Sequence, residues 1–284
     1  MTGSGTQTDP YIINADDTLS QKWSDFIKAI GTNYAYVQCP ADIWDMNEIY
    51  PDGWNKKIGI GRDVVIYGNG LTIMNLYSTC SDTDGLFSSY YGYYVYDLNF
   101  EDLFFSGSKS VFGSSNDDLS HGVYFYNCKF NGIINSGNFL SGYRSFCFYV
   151  HNKGCSIKLK FNNSSNFFEK SNSKVFIRSG VVEMTGNSMA ECGSSSLPLS
   201  LTNCLMCGRL PFSKITIAGR NNIIDMNISE EQSILQSSEL VANIINSNKI
   251  ATGATIATSL IQVAESQMND AVYLDSIGFP IGVD

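Results

Sequence analysis

Residues 96–107 read YDLNFEDLFFSG and residues 126–137 read YNCKFNGIINSG, so one alternation of apolar and polar positions is written twice, thirty residues apart. Tyr96, Phe100, Ser106 and Gly107 recur as Tyr126, Phe130, Ser136 and Gly137, and Asp97 recurs as the near-isostere Asn127. An earlier copy keeps step. Leu71, Ile73 and Leu76 precede Leu98, Phe100 and Leu103 by 27 positions, and these precede Cys128, Phe130 and Ile133 by 30. The alternation predicts strands over 94–105 and 123–134, and shorter ones over 64–66, 146–150, 157–161, 175–184, 199–205 and 215–224. Gly, Asn, Asp or Ser punctuates each of them, as turns require.

Strands of period two send alternate side chains to opposite faces. A near-constant offset then stacks like on like, which is the mark of a solenoid whose units bury their apolar faces on one another. A β-sandwich also strings short strands together, but it has no reason to hold the offset constant. The expected fold is therefore mainly β: a right-handed parallel β-helix over residues 51–228, with small α/β modules at both ends.

The N-terminal module, residues 1–50, carries Thr18 with Gln21 at capping-box spacing. Trp23, Phe26, Ile27 and Ile30 follow on one helical face, Gly31 stops the helix, and 35–37 reads as a strand. The C-terminal module, residues 229–284, repeats the capping-box spacing at Ser229 and Gln232, which predicts a helical turn. Strands are expected over 240–245 and 255–263, and a last helix over 265–277 with Met268, Ala271 and Val272 on one face. Such modules cover the open ends of a solenoid, which otherwise pair with other chains.

Composition agrees with a β surface. The 284 residues are 43% hydrophobic and only 16% charged, with 17 Phe, 16 Tyr and 25 Gly, and exposed helices would need more Glu and Lys. The net charge of −9 and the lack of any basic cluster denser than Lys56-Lys57 exclude a phosphate-neutralising surface, so nucleic acid is not an expected partner. No apolar run approaches the roughly 18 residues of a membrane span, and MTGSGTQTDP has neither the basic start nor the apolar stretch of a signal peptide. The eight cysteines at 39, 80, 128, 147, 155, 192, 204 and 207 sit mostly in apolar slots, Cys128 where Leu98 stands one copy earlier. They read as reduced, buried small hydrophobes of a chain folded in a reducing cytoplasm.

Three phrases carry a resemblance. GSGTQTDPYII before a Trp-containing helix resembles the opening of phage and bacterial surface proteins with β-helical bodies. VVIYGNGLTIMNLY is similar to the strand, Gly-Asn-Gly turn, strand phrase of pectate-lyase-like β-helices, and MNDAVYLDSIGFPIGVD to the C-termini of virion-attached β-helical phage proteins. The resemblance implies a homotrimer displayed on a virion as a fibre, spike or decoration, some members binding glycans and some cleaving them. With about six or seven coils this chain is short beside the cleaving members.

Glycan hydrolysis needs two carboxylates across a groove, and the candidates are Asp97, Glu101, Asp102, Asp117 and Asp118. On one strand Asp97 and Glu101 stand about 13 Å apart, and the next copy replaces Glu101 and Asp102 with Asn131 and Gly132. Arg62-Asp63, Arg144 and Arg178 are scattered, with no calcium loop beside them. His121 and His151 are the only histidines, and Asp118, Ser120 and His121 lie too close in sequence to converge as a triad. Cys204 and Cys207 have zinc-knuckle spacing without a second pair. Gly59-Ile-Gly61 and Gly68-Asn-Gly70 lack the third glycine and the helix of a nucleotide loop.

No catalytic, cofactor or metal residue is therefore assigned. Tyr90, Tyr91, Tyr93 and Tyr94 form the densest aromatic run and are the candidate glycan or subunit contacts, although alternation buries part of them. The expected function is a structural virion protein of a bacteriophage, assembled in the host cytoplasm. It would be a trimeric head or tail appendage contacting other virion proteins and host surface glycan. A tailspike-type depolymerase and a bacterial surface adhesin are the alternatives.

Overall fold

A computed structural model describes residues 1–82, 85–114, 122–142, 145–149, 155–169, 174–237 and 243–279. Parallel sheets wind into a β-solenoid of about eight turns, rather more than the six or seven coils expected. The first sheet stacks strands Tyr11–Ile12, Tyr36–Gln38, Val64–Tyr67, Tyr93–Tyr96, Val123–Tyr126, Ser145–Tyr149, Lys174–Arg178, Leu199–Thr202, Lys214–Arg220, Ser233–Gln236 and Thr255–Ile256. Neighbours along this stack pair in parallel, which no antiparallel sandwich does. The second sheet runs beside it from Ile43–Asp45 to Ile261–Val263, also parallel. Its longest strand, Asn99–Ser114, bends far enough to pair with Thr72–Met74 at its start and Phe87–Ser89 at its end, closing a third side. Both sheets run on through the sequence positions 50/51 and 228/229.

Each long alternating stretch of the sequence crosses a corner. Asp97, Asn127, Ser179, Asn203 and Asn221 each follow a strand of the first sheet, with φ between 51° and 58°. A left-handed backbone is costly for most residues and tolerated by Asn and Asp. The stretch over 94–105 is accordingly two strands, Tyr93–Tyr96 and Asn99–Ser114, on different sheets.

Inward positions stack by kind. Val37, Ile66, Val95, Phe125, Phe148, Ile177 and Leu201 form one column, all of them buried. Phenylalanines fill the middle coils: Phe100 lies 5.7 Å from Phe130 with rings 9° from parallel, and Phe125 lies 4.9 Å from Phe148. Offset-stacked and edge-on rings at these distances add to the area they bury. The inward corner position passes from Leu98 to Cys128, as the repeat implied, and ends in buried Asn222 and Asn243. The Asn222 Nδ2 donates to Asn243 Oδ1 (2.9 Å) and to the Leu201 carbonyl (3.1 Å), so these buried amides are satisfied.

The expected alignment of Leu103 with Ile133 is shifted. The offset of 30 holds to Phe100 and Phe130, but Asp102 adopts φ 50° and bulges out, so Leu103 pairs with Gly132 and Phe104 with Ile133. A Cβ on Gly132 would stand 2.1 Å from the Leu103 carbonyl oxygen, which explains the glycine.

Helix α1, Leu19–Ile30, begins where expected: Thr18 Oγ1 accepts from the Gln21 amide at 3.3 Å. It buries Trp23, Phe26, Ala29 and Ile30, and Phe26 packs on Trp44 of the first coils at 5.7 Å. The C-terminal expectations need correction. Ser229 and Gln232 close a tight turn, Gln232 Oε1 accepting from the Ser229 amide, and strand Ser233–Gln236 follows at once. The stretch 255–263 is two short strands on different sheets. The last helix is split, because Asp270 caps a new start, α2 (Ala271–Ser276), after the 3-10 turn Glu265–Gln267. Met268 and Leu274 are buried there while Val272 is 82% exposed, so Val272 is not on the packed face. Of the strand expected over 240–245, residues 240–242 lie outside the described residues, and Ile244–Asn246 is a strand.

Phe130 touches Phe100, Phe112, Phe125, Phe139 and Phe148. Phe130→Ala is expected to cost about 3–5 kcal/mol of stability, read as a lowered denaturation midpoint with an unchanged slope.

Candidate functional site

The same register that stacks apolar residues inward stacks tyrosines outward. Tyr67, Tyr96 and Tyr126 succeed one another at one outward position of the first sheet, and the backbone register continues to Tyr149. At the other outward position Tyr36, Val65, Tyr94, Tyr124, Cys147 and Phe176 succeed one another. The rings form a ladder. Tyr94 and Tyr124 lie 4.9 Å apart and Tyr96 and Tyr126 4.6 Å apart, both pairs within 7° of parallel. Tyr67 sits 5.3 Å below Tyr96, and Tyr124 lies 6.5 Å from Tyr126 across the strand.

Tyr96 is covered on both ring faces, by Tyr67 and Tyr126, while Tyr94 and Tyr124 cover one face of each other. Partial burial and the neighbouring tyrosines both disfavour a phenolate. Burial first, then Tyr96 and Tyr124, pushes the Tyr126 hydroxyl up to about 12, and the Tyr96 and Tyr124 hydroxyls are raised for the same reasons. The outward row from Tyr36 and Gln38 to Tyr124 and Tyr126 carries no charged side chain. Beyond it a groove of about 280 Å³ is lined by Tyr124, Cys147, Phe176, Arg178, Ser200 and Thr202.

Of the four tyrosines singled out by sequence, Tyr94 belongs to the ladder. Tyr93 points inward and is fully buried, out of reach of any ligand. Tyr90 is 59% exposed and packs edge-on against Tyr91, 5.4 Å away. Tyr36, Tyr67, Tyr96, Tyr124 and Tyr126 were missed as candidates. Their signal was present, since YYVYD and VYFYN place tyrosine at every second position one coil apart.

The candidate carboxylates separate. Asp97 is a corner residue, not a strand neighbour of Glu101. Glu101 Oε1 accepts from Asn131 Nδ2 at 3.0 Å, so the residue that replaces it in the next copy is its partner. Asp102 is exposed on its bulge at the lip of a second groove of about 310 Å³, lined also by Phe104, Asn131, Lys158 and Lys160. Asp117, Asp118, Ser120, His121, Arg144 and His151 lie outside the described residues.

Among the described residues seven cysteines form no disulfide, and six of them are buried. Cys204 sits in the inward corner while Cys207 faces outward, so the pair does not converge. Burial pushes the Cys39 and Cys128 thiols up to about 12, which keeps them protonated. Among the described residues no group of three or more His, Cys, Asp and Glu side chains is placed to hold a metal ion, and no helix is long and apolar enough to cross a membrane.

No protein-family model matches the chain, and no curated protein does. A solved structure from Bacteroides ovatus, named a "putative immunoglobulin A1 protease", is similar over 96% of this chain and 89% of its own, with a TM-score of 0.53 and 14% identity. At that identity the likeness establishes the β-solenoid fold.

Because Tyr126 holds its proton more tightly folded than unfolded, its contribution to stability is fully present below pH 10 and declines as the pH rises toward 12. Ultraviolet absorbance titration of wild type and Tyr126→Phe is expected to differ by one phenol titrating near the top of that window.

Proposed function

We propose that the chain is a non-enzymatic structural protein of a bacteriophage virion. In this reading it is a β-solenoid head or tail appendage whose copies associate, as a homotrimer, through the tyrosine face. The ladder carries this reading. An uncharged, flat, aromatic surface spanning several coils has the composition of a subunit interface rather than of a solvated sheet. Stacking between rungs leaves few ring faces for sugars, so packing against protein suits the middle of the ladder better than carbohydrate stacking does. Host surface glycan would engage the groove beside Tyr124, Phe176 and Arg178, where the ladder ends. The terminal phrases of the sequence support a virion location, and other virion proteins are the partners expected at the ends of the solenoid.

Multi-angle light scattering is expected to give about three times the protomer mass of 31.3 kDa. The double variant Tyr96→Ser, Tyr126→Ser should shift the population to monomer while keeping its circular dichroism. A stable wild-type monomer would overturn the assembly. Mass spectrometry of purified particles tests the location: the chain co-purifies with virions if the reading is right and is missing from them if it is not.

The name of the Bacteroides ovatus neighbour favours a second reading, a hydrolytic solenoid. Incubation with immunoglobulin A1 decides it: intact heavy chains are expected, and cleavage would replace the structural reading.

A further inference from the structure

Three successive coils turn into the first sheet at Tyr34, Arg62 and Tyr91, and there the side chains interleave. The Arg62 guanidinium carbon lies 4.6 Å from the Tyr91 ring centroid and 5.5 Å from that of Tyr34, which come from the coils on either side. Its backbone is tied as well. The Arg62 amide donates to Asn33 Oδ1 at 2.8 Å, and its carbonyl accepts from the Tyr34 amide at 2.6 Å. Arg62 Nε donates to Asp63 Oδ2 at 3.3 Å. Among the described residues no partner meets the two terminal Nη groups, and the side chain is 38% exposed.

Two further observations mark the place as built. Tyr34 and Asp63 hold left-handed backbones, φ 60° and 49°, a conformation that costs a bulky residue most and persists only where the surroundings impose it. Tyr34 is also 56% exposed, so one of the two rings that flank the guanidinium faces solvent.

The geometry points to a docking site for an acidic side chain of a protein partner. A guanidinium fixed by stacking and by one lateral hydrogen bond has lost its freedom before any partner arrives. Its Nη pair then presents two parallel donors that match a carboxylate bidentately. Arginine and tyrosine are the residues that interface hot spots favour, and rings that exclude water strengthen the ion pair they surround. Asp63 occupies the Nε edge and leaves the Nη edge to the incoming carboxylate. The cluster borders the tyrosine face, since Tyr34, Arg62 and Tyr91 each precede a strand of that sheet by two residues. The site is independent of the virion reading.

The test uses the purified full chain and an array of short synthetic peptides. Each carries one Glu or Asp among apolar residues, beside the same peptide with Gln or Asn, and hits are measured by fluorescence anisotropy. Acidic peptides are expected to bind, with their amide counterparts at least about tenfold weaker. Arg62→Lys keeps the charge but lacks the fork, so it should weaken binding by about tenfold or more with an unchanged melting temperature. Tyr34→Ala should weaken it severalfold, and Val272→Ser, exposed on the C-terminal helix α2, should leave it unchanged. The site is overturned if no acidic peptide binds or if Arg62→Lys binds like wild type. Arg62-dependent binding of carboxylated glycans in place of peptides overturns the assignment to a protein partner.

Discussion

Every part of this molecule answers to one constraint: a side chain on one coil must fit the side chains at the same position on the coils above and below. In a parallel solenoid the repeat distance is the strand spacing, about 4.8 Å, within the centroid separations at which aromatic rings stack offset. Phenylalanines can therefore pile through the middle coils, as Phe100 does on Phe130 and Phe125 on Phe148. The column from Val37 to Leu201 is aromatic at its centre and aliphatic at both flanks. Where the inward corner column turns polar, at Asn222 and Asn243, each amide finds a partner on the adjacent coil.

The same stacking shapes the exterior. Tyrosines placed at alternate positions of three consecutive strands have nowhere to go but on top of one another, and the nearly parallel rings of Tyr94 with Tyr124 and Tyr96 with Tyr126 follow from the register alone. The second sheet uses its outer face differently. There the stacked partners are polar or charged, Glu101 with Asn131 and Lys158 with Glu183, a pattern that suits water. Beside these pairs the uncharged outward row from Tyr36 to Tyr126 stands out.

Much of the fold was legible because the repeat states it twice. Phe100 over Phe130 and Cys128 in the place of Leu98 could be read from spacing. What could not be read was backbone geometry. Alternation carries straight through Asp97 and Asn127, so a corner looks like one more strand residue until φ is known. The bulge at Asp102 is invisible for the same reason, and it moved Ile133 away from Leu103. At the C-terminus, helical spacing in the sequence lost to local caps, with Asp270 restarting the helix. The candidate site was half legible. The run Tyr90 to Tyr94 drew attention by density, whereas the ladder is vertical and joins residues about thirty positions apart. Arg62 looked scattered because its ring partners stand on other coils.

If the tyrosine ladder is the surface through which copies meet, its rings must become less accessible as the chain assembles. Tyrosine nitration mapped by mass spectrometry over a dilution series measures this directly. Tyr67, Tyr96 and Tyr126 are expected to be protected at high protein concentration and to react on dilution, while fully buried Tyr93 stays unreactive throughout. Equal reactivity of the ladder tyrosines at every concentration would contradict the interface and leave the ladder as ordinary surface.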